Sequence, residues 1–286
     1  MFVSPMLLET APEPFDSESH IFEPKIDGHR MIYSRTNEEV RLYTRHGNDV
    51  TKLYPELLDG IGEDVILDGE VAQADRETGT ISFEALNRRF QIRRPENIAA
   101  AAGRHPVSFI AFDILQYRGS DLRMLPLMRR KEILAELAID NPNLSVIPFI
   151  EERGIALFDS IRERQMEGIV AKEKSSRYST GRRVGKWQKI INWTYVDVVI
   201  TGYRTSEFGL IAAIPQDDGE LRPAGIIQFG MSSIHKKAFY GVCKSIESGS
   251  YKDVVHLEPL LRAKVKTRNV LRNGLLRDPV FVDFLA

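Results

Sequence analysis

The chain has 286 residues, 43% hydrophobic and 28% charged, a composition typical of a soluble globular protein with one or two domains. No apolar run is long enough to span a bilayer, the N-terminus has no signal-peptide pattern, and a single cysteine, Cys243, excludes an internal disulfide. The formal net charge of −1 argues at first sight against a nucleic-acid-binding protein.

The first two thirds of the chain alternate between short strands and helices. A strand is predicted from Ile21, with an Asp-Gly pair at residues 27–28 interrupting it. Residues 29–33 and 40–43 alternate in polarity as a hairpin does, and a second Asp-Gly pair predicts a turn at Asp68-Gly69. The remaining apolar patterns predict a helix over residues 83–90, a buried strand over 107–115, a helix over 129–137 and a strand over 168–172.

The pattern changes after Trp193. Short strands are predicted at residues 196–203, 210–214, 225–229 and 260–265, with a turn at 217–219 and one helix at 232–245. About five strands with one inserted helix in fewer than about 100 residues are typical of a small barrel such as an OB-fold. We therefore predict an α+β domain over residues 1–192 and an OB-fold β-barrel over residues 193–286.

The net charge hides an uneven distribution. Residues 1–100 carry a net charge of −8, whereas residues 172–189 carry +6. A solvated surface loop explains such a basic stretch, and so does an anion-binding strip. If it binds phosphate, the nearly neutral chain has few other cations, and we expect weak, strongly salt-dependent affinity for DNA.

The string with the most chemical content is KIDGHR at residues 25–30. A lysine amine that has lost its proton is a nucleophile, and an Asp-Gly turn directly after Lys25 leaves room for a phosphate close to the backbone. The alternative is an exposed lysine that happens to precede a turn. Five further strings follow in a fixed order: TRHG at 44–47, LDGE at 67–70, AFDIL at 111–115, EGIVAK at 167–172 and KWQK at 186–189.

Taken together, these strings resemble the covalent nucleotidyltransferase superfamily of ATP-dependent DNA ligases and mRNA capping enzymes. FEPK at residues 22–25 and FEALNRR at 83–89 resemble more narrowly the ligase module of bacterial end-joining ligases, and the resemblance runs from Pro5 to Phe281. It implies an ATP-grasp-like nucleotidyltransferase (adenylation) domain before the OB-fold. It also implies an ATP-dependent DNA ligase that seals nicks with 3′-hydroxyl and 5′-phosphate ends through a lysyl-AMP and an adenylated DNA intermediate.

The resemblance assigns the nucleotide-binding roles residue by residue. Lys25 matches the nucleophile that attacks the α-phosphate of ATP, and Glu23 falls where ligases read the adenine amino group. Phe112 falls where an aromatic ring stacks on adenine, although a core position in its strand is the alternative. Arg30 and Arg45 match arginines that contact nucleotide and DNA phosphates.

The resemblance also assigns the groups around the phosphates. Glu70 matches the carboxylate that holds the ribose and helps to place a metal ion, and Glu167 matches a metal-binding carboxylate; a salt bridge is the alternative for each. Both offer hard oxygen ligands suited to Mg²⁺ or Mn²⁺. Lys172 and Lys189 match the lysines that contact the α-phosphate, whose developing charge needs cations.

Two departures from the family pattern bear on self-adenylation. A second lysine usually follows two positions after the one matched by Lys189, and Ile191 stands there. Ligase barrels also commonly end in an Arg-x-Asp-Lys string, which is missing after LRDPVF at residues 276–281. Either Lys186 compensates for Ile191 or the α-phosphate is held with one cation fewer. We expect the missing string to weaken self-adenylation more than the sealing of a pre-adenylated nick.

Three functions stay open from the sequence. The leading one is DNA ligation in repair or end joining, on nicked double-stranded DNA, by a monomer in a bacterial cytoplasm, associated with the nucleoid or encoded by a phage. The family resemblance alone implies a Ku-type end-binding protein as a partner. The alternatives are an RNA ligase or GTP-dependent capping nucleotidyltransferase, and a ligase relic that binds nicks without catalysis.

Overall fold

The computed structural model describes residues 1–74 and 79–285, in two compact units, Met1–Asn192 and Trp193–Ala286. Across these described ranges no helix has both the length and the apolar character needed to cross a membrane. The first unit contains the strands β1 (Leu7–Thr10), β2 (Ser17–Pro24), β3 (His29–Thr36), β4 (Glu39–Thr44), β5 (Val65–Ala72), β6 (Ser108–Tyr117), β7 (Ser120–Asp121), β8 (Leu144–Val146), β9 (Ile150–Glu152), β10 (Gly168–Glu173) and β11 (Arg183–Ile191). Its helices are α1 (Phe83–Phe90), α2 (Pro95–Arg104), α3 (Leu127–Ala135) and α4 (Gly154–Glu163), and short 3₁₀ turns cover Thr51–Leu53 and Pro55–Leu57.

The strands of the first unit form two sheets that pack face to face. One sheet has the order β1-β11-β10-β2-β9, and the other has the order β4-β3-β5-β6-β7 with β8 beside β6. Apolar side chains from both sheets meet in one buried layer, to which Ile21 and Trp187 come from the first sheet and Ile32 and Leu115 from the second. Burial of such side chains contributes about 1.5–3 kcal/mol each to stability, so this layer fixes the two sheets relative to each other.

The outer face of each sheet is covered by helices. Because successive residues of a strand point to opposite faces, Phe22 lies on the other side of β2 from Ile21, where it packs with Phe158 of α4. The outer face of the second sheet packs against α1 and α3 through Leu86 and Leu134. The layered arrangement leaves the space between the sheets as the place where polar side chains of both can meet.

Most predicted elements of this unit are confirmed. The helix predicted over residues 83–90 is α1, and the Ser82 side chain caps it by accepting a hydrogen bond from the Ala85 N–H. The helix predicted over 129–137 begins two residues earlier, at Leu127, directly after Pro126. The predictions omitted β1, β7, β8, β9, β11, α2 and α4.

The predicted turn at Asp68-Gly69 is wrong, because both residues lie inside β5. Asp68 is fully buried, and its carboxylate accepts hydrogen bonds from Arg30 and Tyr178 instead of closing a turn. A Cβ on Gly69 would lie 2.4 Å from the Phe109 ring. In this strand Asp68 forms a buried ion pair with Arg30, and Gly69 lies close to the Phe109 ring. The Asp-Gly sequence alone does not distinguish this arrangement from a turn.

Within residues 193–285 the second unit has one six-stranded sheet and a single α-helix. Its strands are β12 (Thr194–Arg204), β13 (Gly209–Pro215), β14 (Leu221–Ile227), β15 (Glu247–Tyr251), β16 (Val254–Thr267) and β17 (Val280–Leu285), and its helix is α5 (Ser233–Cys243). The order is β14-β13-β12-β16-β15, with β17 also paired to β16. Two of these strands, β15 and β17, were not predicted, whereas the predicted helix is confirmed over most of its length.

Candidate nucleotide site

The lysine of the KIDGHR string follows β2 directly. The Lys25 backbone N–H donates a 2.8 Å hydrogen bond to the Gly168 carbonyl, which anchors the loop to β10. The loop also lies so close to β5 that a Cβ on Gly28 would stand 2.2 Å from the Val71 carbonyl oxygen. The Lys25 side chain is 17% exposed, and its Nζ lies 2.7 Å from Oε2 of Glu167.

A cavity of about 420 Å³, partly open to solvent, lies beside this lysine. The walls come from both sheets, and six predicted site residues line them: Glu23, Lys25, Arg30, Glu70, Phe112 and Lys172. The other wall residues are Leu8, Pro24, Ile26, Ile147, Val170 and Trp187.

Strand register explains why residues far apart in the sequence share this wall. Directly opposed residues of antiparallel strands project to the same face. Val170 of β10 stands opposite Glu23 on one side and opposite Lys189 on the other, and Lys172 stands opposite Trp187. Lys189 is half-buried and belongs to the cavity-facing side of β11, although it is not one of the wall residues.

Glu23 is buried with two lysines. Its Oε2 lies 2.7 Å from the Lys172 Nζ, and its Oε1 contacts the Lys131 Nζ of α3. All three side chains are about 2% exposed. Burial lowers the pKa of Lys172 to about 8, although the Glu23 carboxylate opposes that shift.

Arg30 is held in place by Asp68. Its Nε and Nη2 donate to the two carboxylate oxygens of Asp68 at 3.0 and 2.6 Å, a bidentate pairing. Burial lowers the pKa of Arg30, but the Asp68 charge outweighs burial and the net shift is upward. The Tyr178 hydroxyl also donates to Asp68 at 2.6 Å, and burial next to this carboxylate raises the pKa of Tyr178.

Phe112 is half-buried in the cavity wall with two cations over its ring. The Arg30 guanidinium lies 5.2 Å from the ring centroid and the Lys172 ammonium 4.4 Å from it. The same ammonium lies 4.1 Å from the Trp187 ring. Phe112 therefore packs against the buried layer between the sheets and also lines the cavity. A core position in its strand and a stacking position for adenine are thus compatible for this residue.

Glu70 and Glu167 provide two carboxylates near Lys25. Burial raises the pKa of Glu70 to about 7, against the opposing charges of Lys25 and Arg30. Among residues 1–74 and 79–285 no three His, Cys, Asp or Glu side chains are grouped to hold a metal ion. Mg²⁺ is commonly bound by only one or two carboxylates with substrate phosphates and water, so these two partly buried glutamates fit that ion.

The basic stretch at residues 172–189 is not one continuous strip. Lys172 is buried against Glu23, Lys174 pairs with Glu151, and Lys186 pairs with Glu173. Arg177, Arg182 and Arg183 are the exposed arginines of the stretch. The excess charge therefore divides between the cavity and the surface.

Arg45 lies outside the cavity wall. It occupies an exposed turn after β4, which the Gly47 N–H closes by donating to the Thr44 carbonyl at 2.9 Å. Its predicted role in phosphate binding stays a prediction.

Sequence reasoning missed four residues of the site. Asp68, Trp187 and Lys131 contact predicted residues, and Tyr178 donates a hydrogen bond to Asp68. One signal was available for Lys131, since α3 buries Leu127, Arg130, Lys131 and Leu134, which have the spacing of a helix's core-facing stripe. Cations on such a stripe indicate buried partners.

Comparison with known proteins identifies the class. The family described as ATP dependent DNA ligase domain matches residues 5–190. The chain belongs to this family and is an ATP-dependent DNA ligase.

Its relatives include the SPbeta prophage-derived DNA ligase-like protein LigB of Bacillus subtilis, 37% identical over 98% of both chains. They also include the multifunctional non-homologous end joining DNA repair protein LigD of Mycobacterium tuberculosis, 34% identical over 90% of this chain. The chain spans only 35% of that LigD. A solved structure of mycobacterial DNA ligase D complexed with ATP and MES superimposes with a TM-score of 0.59 at 27% identity, covering 99% of this chain and 95% of the other.

Proposed function

We propose that the cavity binds ATP and that Lys25 is the nucleophile that accepts AMP from it. The observation that carries this proposal is the position of the Lys25 amine, 2.7 Å from Glu167 and in the wall of a cavity that five further predicted site residues also line. In the first step the Lys25 nitrogen forms a bond to the α-phosphorus, loses its proton, and pyrophosphate leaves. The 5′-phosphate at the nick then takes the AMP from Lys25, and the 3′-hydroxyl attacks that phosphate and releases AMP.

The walls divide into a base-binding and a phosphate-binding part. Phe112 offers a ring for stacking, and the buried Glu23 carboxylate is an acceptor for the adenine amino group. Arg30, rigidly paired with Asp68, is positioned to contact the nucleotide or the DNA phosphate. Lys172 and Lys189 supply cations for the α-phosphate, with Ile191 in place of the further lysine found in the family.

Glu70 and Glu167 are the residues that would hold a divalent metal ion, Mg²⁺ or Mn²⁺. A bound cation would neutralise charge on the phosphate oxygens and would favour the ionised form of Glu70, whose pKa burial raises to about 7. Glu70 is also the proposed ligand of the ribose.

We propose that Met1–Asn192 is the ATP-grasp-like adenylation domain and that Trp193–Ala286 is an OB-fold. A single sheet of six strands and one inserted helix within the described part of the second unit supports the latter. Nicked duplex DNA is the proposed substrate, in the bacterial cytoplasm at the nucleoid or on phage DNA. What supports a role in repair is the end joining and DNA repair named for the LigD relatives, and a Ku-type partner follows from that likeness alone.

Sealing of a nicked duplex with ATP and Mg²⁺ tests the proposal. Lys25→Ala abolishes sealing from ATP, whereas it retains sealing of a pre-adenylated nick, since that last step needs no lysyl-AMP. Lys52→Ala is the matched control, because Lys52 is exposed and lies outside the cavity wall. If labelled GTP rather than labelled ATP becomes attached to the protein, the capping alternative is supported. If the wild-type protein seals neither the nick with ATP nor the pre-adenylated nick, the non-catalytic relic is supported.

A further inference from the structure

Lys131 lies in none of the ligase-like strings, yet it contacts the carboxylate proposed to read adenine. It comes from α3, whereas Glu23 is on β2 and Lys172 on β10. The Lys131 Nζ contacts Oε1 of Glu23 and lies 5.3 Å from the centroid of the Phe149 ring. With 2% of its side chain exposed, Lys131 is too deeply buried for a solvent-facing lysine.

The two lysines lie on different sides of the carboxylate with respect to the cavity. Lys172 is a wall residue and approaches Oε2, whereas Lys131 is not a wall residue and approaches Oε1. Oε2 is therefore the oxygen available to a bound base. The Lys172 ammonium lies at that oxygen, so its movement away would open Oε2 more fully to the amino group of a base.

Separating Lys172 from Glu23 has a cost that depends on Lys131. A buried carboxylate without a counter-charge is strongly unfavourable. Lys131 supplies that counter-charge from outside the cavity, so Glu23 stays ionised and compensated when Lys172 moves to the α-phosphate. Without Lys131, Lys172 is the remaining counter-ion of Glu23 among the contacts described, and it stays on Oε2.

We propose that Lys131 is a positioning residue of the nucleotide site, which holds Glu23 so that Lys172 can exchange the carboxylate for the α-phosphate when ATP binds. This inference rests on the proposed function. It makes Lys131 a determinant of selectivity for the 6-amino group, although it does not touch the nucleotide.

The test is the rate of lysyl-AMP formation from ATP and from purine riboside triphosphate, which lacks the 6-amino group. Wild type prefers ATP by about tenfold or more, the value of one charge-assisted hydrogen bond to a buried acceptor. In Lys131→Met this preference falls to about twofold or less, and the KM for ATP rises by about tenfold. Lys131→Arg, which keeps the charge, retains the wild-type preference.

Arg129→Met is the matched control, because Arg129 lies on the same helix with 64% of its side chain exposed. Partial misfolding lowers the rates with both nucleotides equally and leaves their ratio unchanged, so the ratio separates positioning from a structural role. If Lys131→Met does not fold, Lys131→Gln is used with the same expected ratio. A wild-type preference retained in the neutral variant overturns the inference alone, whereas absence of lysyl-AMP in wild type overturns the proposed function.

Discussion

The Lys25 amine lies 2.7 Å from the Glu167 carboxylate, although 142 positions separate the two residues in the sequence. The pairing joins the loop after β2 to the residue that precedes β10, and these two strands are neighbours in the first sheet. A lysine attacks phosphorus only as the free amine, so this ion pair must open or pass its proton on before the reaction. We therefore propose that Glu167 holds the proposed nucleophile in position until its amine is freed for reaction.

Gly28→Ala is expected to slow lysyl-AMP formation by about 100-fold, since displacement of a reacting group by about 1 Å has such an effect. The added Cβ would stand 2.2 Å from the Val71 carbonyl oxygen and push the Lys25 loop off β5. Gly62→Ala is the control, because nothing lies within 4 Å of its Cβ. Equal rates for the two variants, measured by labelling with ATP, would contradict the proposed tight fit of the loop.

The rate of lysyl-AMP formation at low ATP is expected to fall as the pH rises above about 8. Burial lowers the pKa of Lys172 to about 8, so above this pH the side chain loses the charge proposed to bind the α-phosphate. In Lys172→Arg the alkaline fall is absent, because a guanidinium stays protonated. The measurement is kcat/KM for ATP against pH, and identical alkaline limbs for both proteins would show that Lys172 does not bind phosphate.

Glu70→Gln is expected to stabilise the metal-free protein at pH 8 but not at about pH 4.5. Burial raises the pKa of Glu70 from 4.5 to about 7, so the folded protein favours the neutral carboxyl, and this contribution is lost as the pH rises from about 4.5 to 7. At about 1.4 kcal/mol per pKa unit the gain is at most about 3 kcal/mol. Urea unfolding in the presence of a chelator measures this gain in the free energy of unfolding. An equal effect of the substitution at both pH values would contradict the raised pKa of Glu70.

Arg130→Met is expected to destabilise the protein by about 3–5 kcal/mol, because it leaves the buried Asp113 carboxylate without a counter-charge. Both side chains are fully buried, and Arg130 donates to both Asp113 oxygens at 2.8 Å and to the Leu125 and Ser176 carbonyls. Adding Asp113→Asn recovers part of the loss, since the uncompensated charge is gone. Simple addition of the two single losses in urea unfolding would contradict this coupling.

Elements with strong local signals were predictable from the sequence. The helix at residues 83–90 is one, because Ser82 caps it and its apolar residues recur at helical spacing. The candidate site residues within ligase-like strings were also predictable, and strand register brings Glu23, Lys172 and Lys189 to one face. The order of the ligase-like strings along the chain therefore carries indirect information about how these strands pair.

What the sequence could not predict depends on contacts between distant residues. Asp68-Gly69 has the local pattern of a turn, and only the Arg30 and Phe109 contacts show why it is a strand. Lys131 is one of three consecutive basic residues in α3, and its role depends on Glu23, more than 100 positions away. The sequence pattern within one helix or strand does not show which distant residues it contacts, because those contacts are set by how the elements pack.

The most direct test of the central claim is the site of AMP attachment. The protein is incubated with ATP labelled at the α-phosphate and Mg²⁺, digested, and the labelled peptide is identified by mass spectrometry. We expect one adduct, on Lys25, which is sensitive to acid as a phosphoramidate is and is absent from Lys25→Ala. An adduct on another residue, or labelling of Lys25→Ala equal to that of wild type, would contradict the assignment of Lys25 as the nucleophile.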